Sequence, residues 1–236
     1  MRFSRAAFLL AVSCAGVSSA RLAPVVSPQE ESSARGPGWY ATVDTTLGAF
    51  TIRLLPEQAP QSVAHFVGFA QGTIEYTDVF TGNAVKKPLY DGLAIHRITP
   101  GQRMEVGDPT ATGRGAPPFW VPREPGPIAF DHPYRVGTTA AAGRRLSGSL
   151  FFVSSVPEPY LSGKHNAFGE VVEGREVVDK ICAVPVDENK VPKEPVRINK
   201  VTVFRVGEPP PIPPPVRYRP PANELPEIRE QELPSN

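Results

Sequence analysis

Proline limits this chain more than any other residue. It supplies 29 of the 236 residues, about 12% where about 5% is usual. An interior proline removes a helix donor and clashes with the preceding turn, so this composition argues against long uninterrupted helices and against an all-helical bundle. The prolines fall unevenly. Three lie before Trp39, 10 lie in the last 30 residues from Gly207, and 16 lie in the 168 residues between, where turns between short strands would hold them.

That division outlines the organisation. Residues 1–20 carry Arg2 and Arg5, an apolar run from Ala6 to Val17 and then Ser18-Ser19-Ala20. This is the pattern of a secretory signal, too short for a comfortable membrane span. Ala11-Val12-Ser13-Cys14 also loosely matches a lipoprotein cleavage box, with Ala where Leu is usual, which would leave a lipid anchor on Cys14. The expected location is therefore outside the cytoplasm, in the periplasm or cell envelope, or secreted. With Cys14 removed or modified, Cys182 stands alone and no internal disulfide is available. Residues 21–38 read as a flexible linker, 39–206 as the folded domain, and 207–236 as a proline-rich tail, extended, polyproline-like or disordered.

Charge and motif scans remove several function classes. The 25 basic and 24 acidic residues balance to +1, which gives no support to a nucleic-acid binder. No stretch after residue 20 is apolar enough to cross a bilayer. The four histidines (His65, His96, His132 and His165) lack metal-ligand spacing. Gly113-Arg114-Gly115 has no following Gly-Lys-Ser/Thr and reads as a glycine turn, and Ser147-Gly148-Ser149-Leu150 is not a hydrolase elbow. Neither a metal nor a cofactor is expected.

Within the domain, residues 40–44 and 49–55 are β-type runs joined through Thr46-Leu47-Gly48. A helix is predicted over 59–71, with Pro60 in its first turn, an apolar stripe at Val63, Phe66, Val67 and Ala70, and Gly72 ending it. Further strands are predicted at 93–99, 104–106, 150–153, 167–172 and 198–206, and a second helix at 173–182. The segment 72–88 reads as a solvated surface loop.

One distributed constellation goes further. Tyr90-Asp91-Gly92 leads to His96-Arg97 and Pro100-Gly101, then Gly107-Asp108-Pro109 and Thr112-Gly113-Arg114-Gly115. Gly148-Ser149-Leu150-Phe151-Phe152, Leu161-Ser162-Gly163-Lys164-His165 and Phe168-Gly169-Glu170 follow. In order and spacing this resembles the cyclophilin family of peptidyl-prolyl isomerases, across essentially all of 39–206. The resemblance implies a mainly β fold, a closed eight-stranded antiparallel barrel capped by two α-helices, with a peptide groove on its outer face. It implies an isomerase assisting the folding of exported proteins, a partner in their proline-containing segments, and a monomer. By the same resemblance Arg97 is the catalytic arginine, Phe152 and Leu161 are pocket walls, and Ala140 and His165 line the groove.

The chain departs from the family at several of these positions. The ungapped spacing from Pro100-Gly101 to Gly107-Asp108 puts Gln102 and Arg103 where the family has an apolar phenylalanine and methionine. Glu105 replaces a glutamine that orients the arginine, Ala141 an asparagine, Leu150 a glutamine, and Tyr160 a tryptophan found in inhibitor-sensitive members. Arg103 and Glu105 share one strand face, so Glu105 can pair with Arg97, with Arg103, or bridge both. These changes predict weaker proline binding and reduced isomerase activity. The alternative is a non-catalytic proline-peptide binder or chaperone on the same barrel.

Overall fold

The computed structural model describes residues 35–124, 126, 128–141 and 145–218. The segment read as an export signal, the Cys14 box, most of the expected linker and the tail beyond residue 218 lie outside the described residues.

The chain opens with a hairpin, β1 (Gly38–Thr45) and β2 (Gly48–Leu54), in full register from Trp39–Leu54 to Thr45–Gly48. Helix α1 (Pro60–Gln71) follows. Pro60 starts it, where a missing N–H costs nothing. Gly72 ends it at φ 68°, its N–H bonded to the last-turn carbonyls of Gly68 and Phe69. A side chain at Gly72 would also strike the Lys87 backbone at 2.5 Å, so glycine is needed there twice over. Segment 72–88 is not wholly loop, since β3 (Tyr76–Thr77) and β4 (Ala84–Val85) pair within it and leave Phe80 exposed.

The main sheet continues with β5 (Arg97–Thr99), β6 (Arg103–Val106), β7 (Arg135–Ala141), β8 (Arg145–Ser154), β9 (Ala167–Glu173) and β10 (Ile198–Val206). Helix α2 (Arg175–Cys182) sits between β9 and β10 and buries Val178, Ile181 and Cys182. The strand order is β10-β1-β2-β9-β7-β8-β6-β5, antiparallel throughout.

The sheet is curled and open, which corrects the expectation of a closed barrel. Its end strands, β10 and β5, form no ladder with each other. β5 is only three residues long, and the N–H of its Ile98 donates to Lys190 O in the segment between α2 and β10. What spans the gap is one bridge, Ala94–Arg197, with flanking backbone bonds such as Ile95 N–H to Val196 O.

Inside the curl lies the main core. Val43, Phe50 and Ile52 meet Val63, Phe66 and Phe69 of α1, with Met104, Val106, Phe151 and Val153 from β6 and β8. Phe66 is the hub, with ring centroids 5.3–5.4 Å from Tyr90, Phe151 and Phe168. Each such side chain contributes about 1.5–3 kcal/mol by leaving water.

Candidate active site

Successive side chains on a strand face opposite ways, and directly paired residues share a face. Met104, Val106, Phe151 and Val153 point into the core, so Arg103, Glu105 and Phe152 must face outward. Register carries that outer row across four strands: Arg97 on β5 pairs with Glu105 on β6, Glu105 with Phe152 on β8, and Phe152 with Gly137 on β7. Gly137 adds no side chain to the row. A Cβ there would lie 2.6 Å from the rings of both Phe130 and Phe152. Its absence lets those rings settle 5.2 Å apart in a second, smaller apolar cluster with Leu161 and Ala167.

His165 closes one side of this cluster, its ring edge-on to Phe152 at 5.6 Å. Its Nδ1 lies 2.8 Å from Thr138 O, which fixes the proton on Nδ1 and leaves Nε2 as an acceptor. Burial holds the imidazole pKa below its usual value, so the ring is neutral at neutral pH.

The other side is charged. Arg103 donates from Nε to Glu105 Oε1 at 3.3 Å and from Nη1 to Glu158 Oε1 at 2.5 Å and Tyr160 Oη at 3.0 Å. Tyr160 donates in turn to Glu158 Oε1 at 2.6 Å. The guanidinium carbon sits 6.0 Å from the Phe152 ring centroid. Burial works against this charge, but the Glu158 carboxylate, the Tyr160 hydroxyl and the Glu105 carboxylate together outweigh that and raise the Arg103 pKa. Of the pairings open to Glu105, the one with Arg103 is made. Arg97 is exposed and has no ion pair among the described residues.

Seven of the expected residues therefore meet around one apolar patch: Arg97, Arg103, Glu105, Phe152, Tyr160, Leu161 and His165. Others are more peripheral. Gln102 is exposed at the β5–β6 turn, where its carbonyl accepts from Ser155 N–H at 2.6 Å. Ala140 is exposed beyond a bulge in β7, and Ala141 pairs with Arg145 at that strand's end. Leu150 shares the strand face of Phe152 by alternation and is buried as Phe152 is, but it is not a member of the Phe130–Phe152–Leu161–Ala167 cluster. Glu158, Phe130 and Gly137 were not anticipated. Glu158, in Pro157-Glu158-Pro159, meets Arg103 from 55 positions away, and no local spacing signals that contact.

What these groups provide is a small apolar cluster with one exposed, permanently charged donor beside it, unpaired among the described residues, and a neutral imidazole on its other side. A profile described as cyclophilin type peptidyl-prolyl cis-trans isomerase/CLD matches residues 40–203. The chain belongs to the cyclophilin family. It is 39% identical over 166 residues to a probable peptidyl-prolyl cis-trans isomerase A of Mycobacterium leprae, covering 69% of this chain and 91% of that one. With peptidyl-prolyl cis-trans isomerase B of Streptomyces anulatus it shares 40% over 168 residues, 70% of this chain and 95% of that one. A cyclophilin-type isomerase of Cryptosporidium parvum, crystallised in the presence of the dipeptide Ala-Pro, superposes with a TM-score of 0.59. That match covers 70% of this chain and 98% of the other at 21% identity, a likeness of fold.

This cyclophilin domain also explains its glycine turn at 113–115. Asp108 is fully buried and accepts from the backbone N–H groups of Thr110, Thr112, Arg114 and Gly115 at 2.8–3.1 Å. Glycine at 115 is required, since a Cβ would lie 2.2 Å from Thr110 Oγ1. The loop after β6 is thus wound around one carboxylate, which makes it a structural knot and not a phosphate cradle.

Proposed function

We propose that this chain is an exported peptidyl-prolyl cis-trans isomerase that acts on proline-containing segments of exported proteins, as a monomer, and more slowly than members with an all-apolar pocket. The observation that carries this reading is the unpaired Arg97 in register with Glu105 and Phe152. Rotation about a peptide bond is resisted by about 18–20 kcal/mol because the nitrogen lone pair is shared with the carbonyl. No σ-bond breaks, so a nucleophile is not needed. A guanidinium donating to the proline nitrogen as its lone pair localises lowers that barrier, while the Phe152–Leu161 cleft holds the ring. Arg103 replaces apolar wall by polar surface, which weakens ring binding. Export rests on the basic and apolar pattern of residues 1–20, with Cys14 as the lipid-anchored variant of the same route.

The test is a refolding reaction limited by X–Pro exchange, which takes tens to hundreds of seconds unaided. Wild type should accelerate it and Arg97→Ala should not. Equal rates for wild type, variant and no protein would end the enzyme reading. A second reading, a non-catalytic proline-peptide binder, draws on the Arg103–Glu158 pair over Phe152. Binding of proline peptides without any acceleration would favour it. Cell fractionation tests export: an unprocessed cytoplasmic chain would contradict it.

A further inference from the structure

After β10 the chain turns at Gly207, φ 63°, and runs back over the domain without helix or strand. Pro209-Pro210-Pro211 and Pro213-Pro214-Pro215 hold φ near −65° and offer no N–H, which leaves an extended polyproline-like path. Within each proline triplet the carbonyls are the only backbone hydrogen-bonding groups. Trp39, at the start of β1, answers that chemistry, its indole Nε1 donating to Pro210 O at 2.8 Å. Pro37, Leu54, Leu55 and Pro56 line the groove beside it, against Pro209 and Pro210. An aromatic donor on an apolar trough is how proline-rich segments are recognised generally, because a stiff ligand loses little entropy on docking.

The contact continues beyond the indole. Ile212 packs against the main core, Val216 N–H donates to Gln61 Oε1 at 2.9 Å, and the Arg217 guanidinium lies 4.7 Å over the Phe119 ring. The tail nevertheless does not fill its groove, which keeps a cavity of about 120 Å³ beside Pro209 and Pro210. This groove shares no lining residue with the Arg97 row, since none of Arg97, Arg103, Glu105, Phe152, Leu161 or His165 borders it. Trp39 pairs with Arg205, whereas the bridge next to β5 is made by Arg197, eight residues away along β10 and its approach. At about 3.4 Å per residue those two pairings lie roughly 27 Å apart along the chain.

We infer that the Trp39 groove is a second proline-peptide site, separate from the Arg97 cleft, whose ligand is a polyproline segment and whose resident occupant is this chain's own tail. Tethering gives the tail an effective concentration of about the millimolar range, so a segment supplied from outside must compete with it.

The test uses the full chain with Pro209→Ala, Pro210→Ala and Pro211→Ala to vacate the groove, and a synthetic peptide of residues 207–218 as probe. In wild type the Trp39 indole N–H and the Val216 amide should exchange slowly with solvent, and in the triple variant both should exchange fast. The peptide should bind the triple variant saturably, and wild type about tenfold or more weakly because the tail competes. Adding Trp39→Phe, which keeps a ring but removes the donor, should lower affinity about fivefold or more, the worth of one hydrogen bond. Unchanged protection in the triple variant, no peptide binding to it, equal binding to wild type, or indifference to Trp39→Phe would each overturn the assignment. None of these readouts depends on isomerase activity.

Discussion

The Arg103 guanidinium and the Glu158 carboxylate meet at 2.5 Å beside Phe152, with Glu158 only 2% exposed. Removing one partner of such a pair leaves the other charge buried and uncompensated, at about 3–5 kcal/mol. Arg103→Met should therefore lower thermal stability sharply even though it restores an apolar wall. Arg103→Met combined with Glu158→Gln should recover most of that loss and lower the KM for proline peptides. Thermal melts and peptide titrations of the two variants check this. A single variant as stable as wild type would show that the pair contributes nothing.

Arg97 invites the opposite expectation. Its side chain is exposed and unpaired among the described residues, so Arg97→Ala should change stability by no more than about 0.5 kcal/mol. Loss of the one donor should cost about a hundredfold in isomerisation rate. Arg97→Lys keeps the charge but loses the planar fork and should recover little. Rates near wild type in Arg97→Lys would mean that charge alone suffices.

Most of the fold was legible because it rests on local patterns. Pro60, the Val63–Ala70 stripe and Gly72 delimit α1 to within a residue, and Gly48 closes the first hairpin. β7 was missed because Arg135–Ala141 has Gly137, two threonines and two alanines where an apolar alternation would be needed. Barrel closure was misjudged because it turns on where the N–H of Ile98 goes, a long-range choice with no sequence signature. At the site, motif spacing brought in Arg97, Phe152, Leu161 and His165, and strand parity put Arg103 and Glu105 on one face. Which arginine Glu105 would choose was open, because the deciding residue, Glu158, arrives from a distant loop.

Gly137 supplies a steric test of the cleft. Alanine there would place a methyl 2.6 Å from both Phe130 and Phe152, and both rings are themselves buried. Overpacking of this kind costs about 1–3 kcal/mol, here spent in displacing the Phe152 ring. Gly137→Ala should therefore raise KM for proline peptides more than it lowers kcat, with a matching drop in melting temperature. Unaltered KM would mean that Phe152 does not hold the substrate ring.

Acid should weaken the domain through its histidines before its carboxylates. Burial holds the pKa values of His65, His96 and His165 below the ordinary 6.5. The unfolded chain, titrating at about 6.5, then binds protons more readily than the folded one. Stability is complete above about pH 6.5 and falls as pH drops below it, levelling once the folded imidazoles protonate in turn. Asp108 belongs to a lower window. Burial would raise its pKa, but the N–H groups of Gly115 and Thr110 and the hydroxyls of Thr110 and Thr112 together outweigh that and lower it, so its contribution persists until pH falls below the ordinary 3.8. Melting temperature should decline between pH 7 and pH 5 while Asp108 stays ionised. Proton NMR titration of the three imidazoles should place each midpoint below 6.5, and midpoints at or above that value would remove the cause.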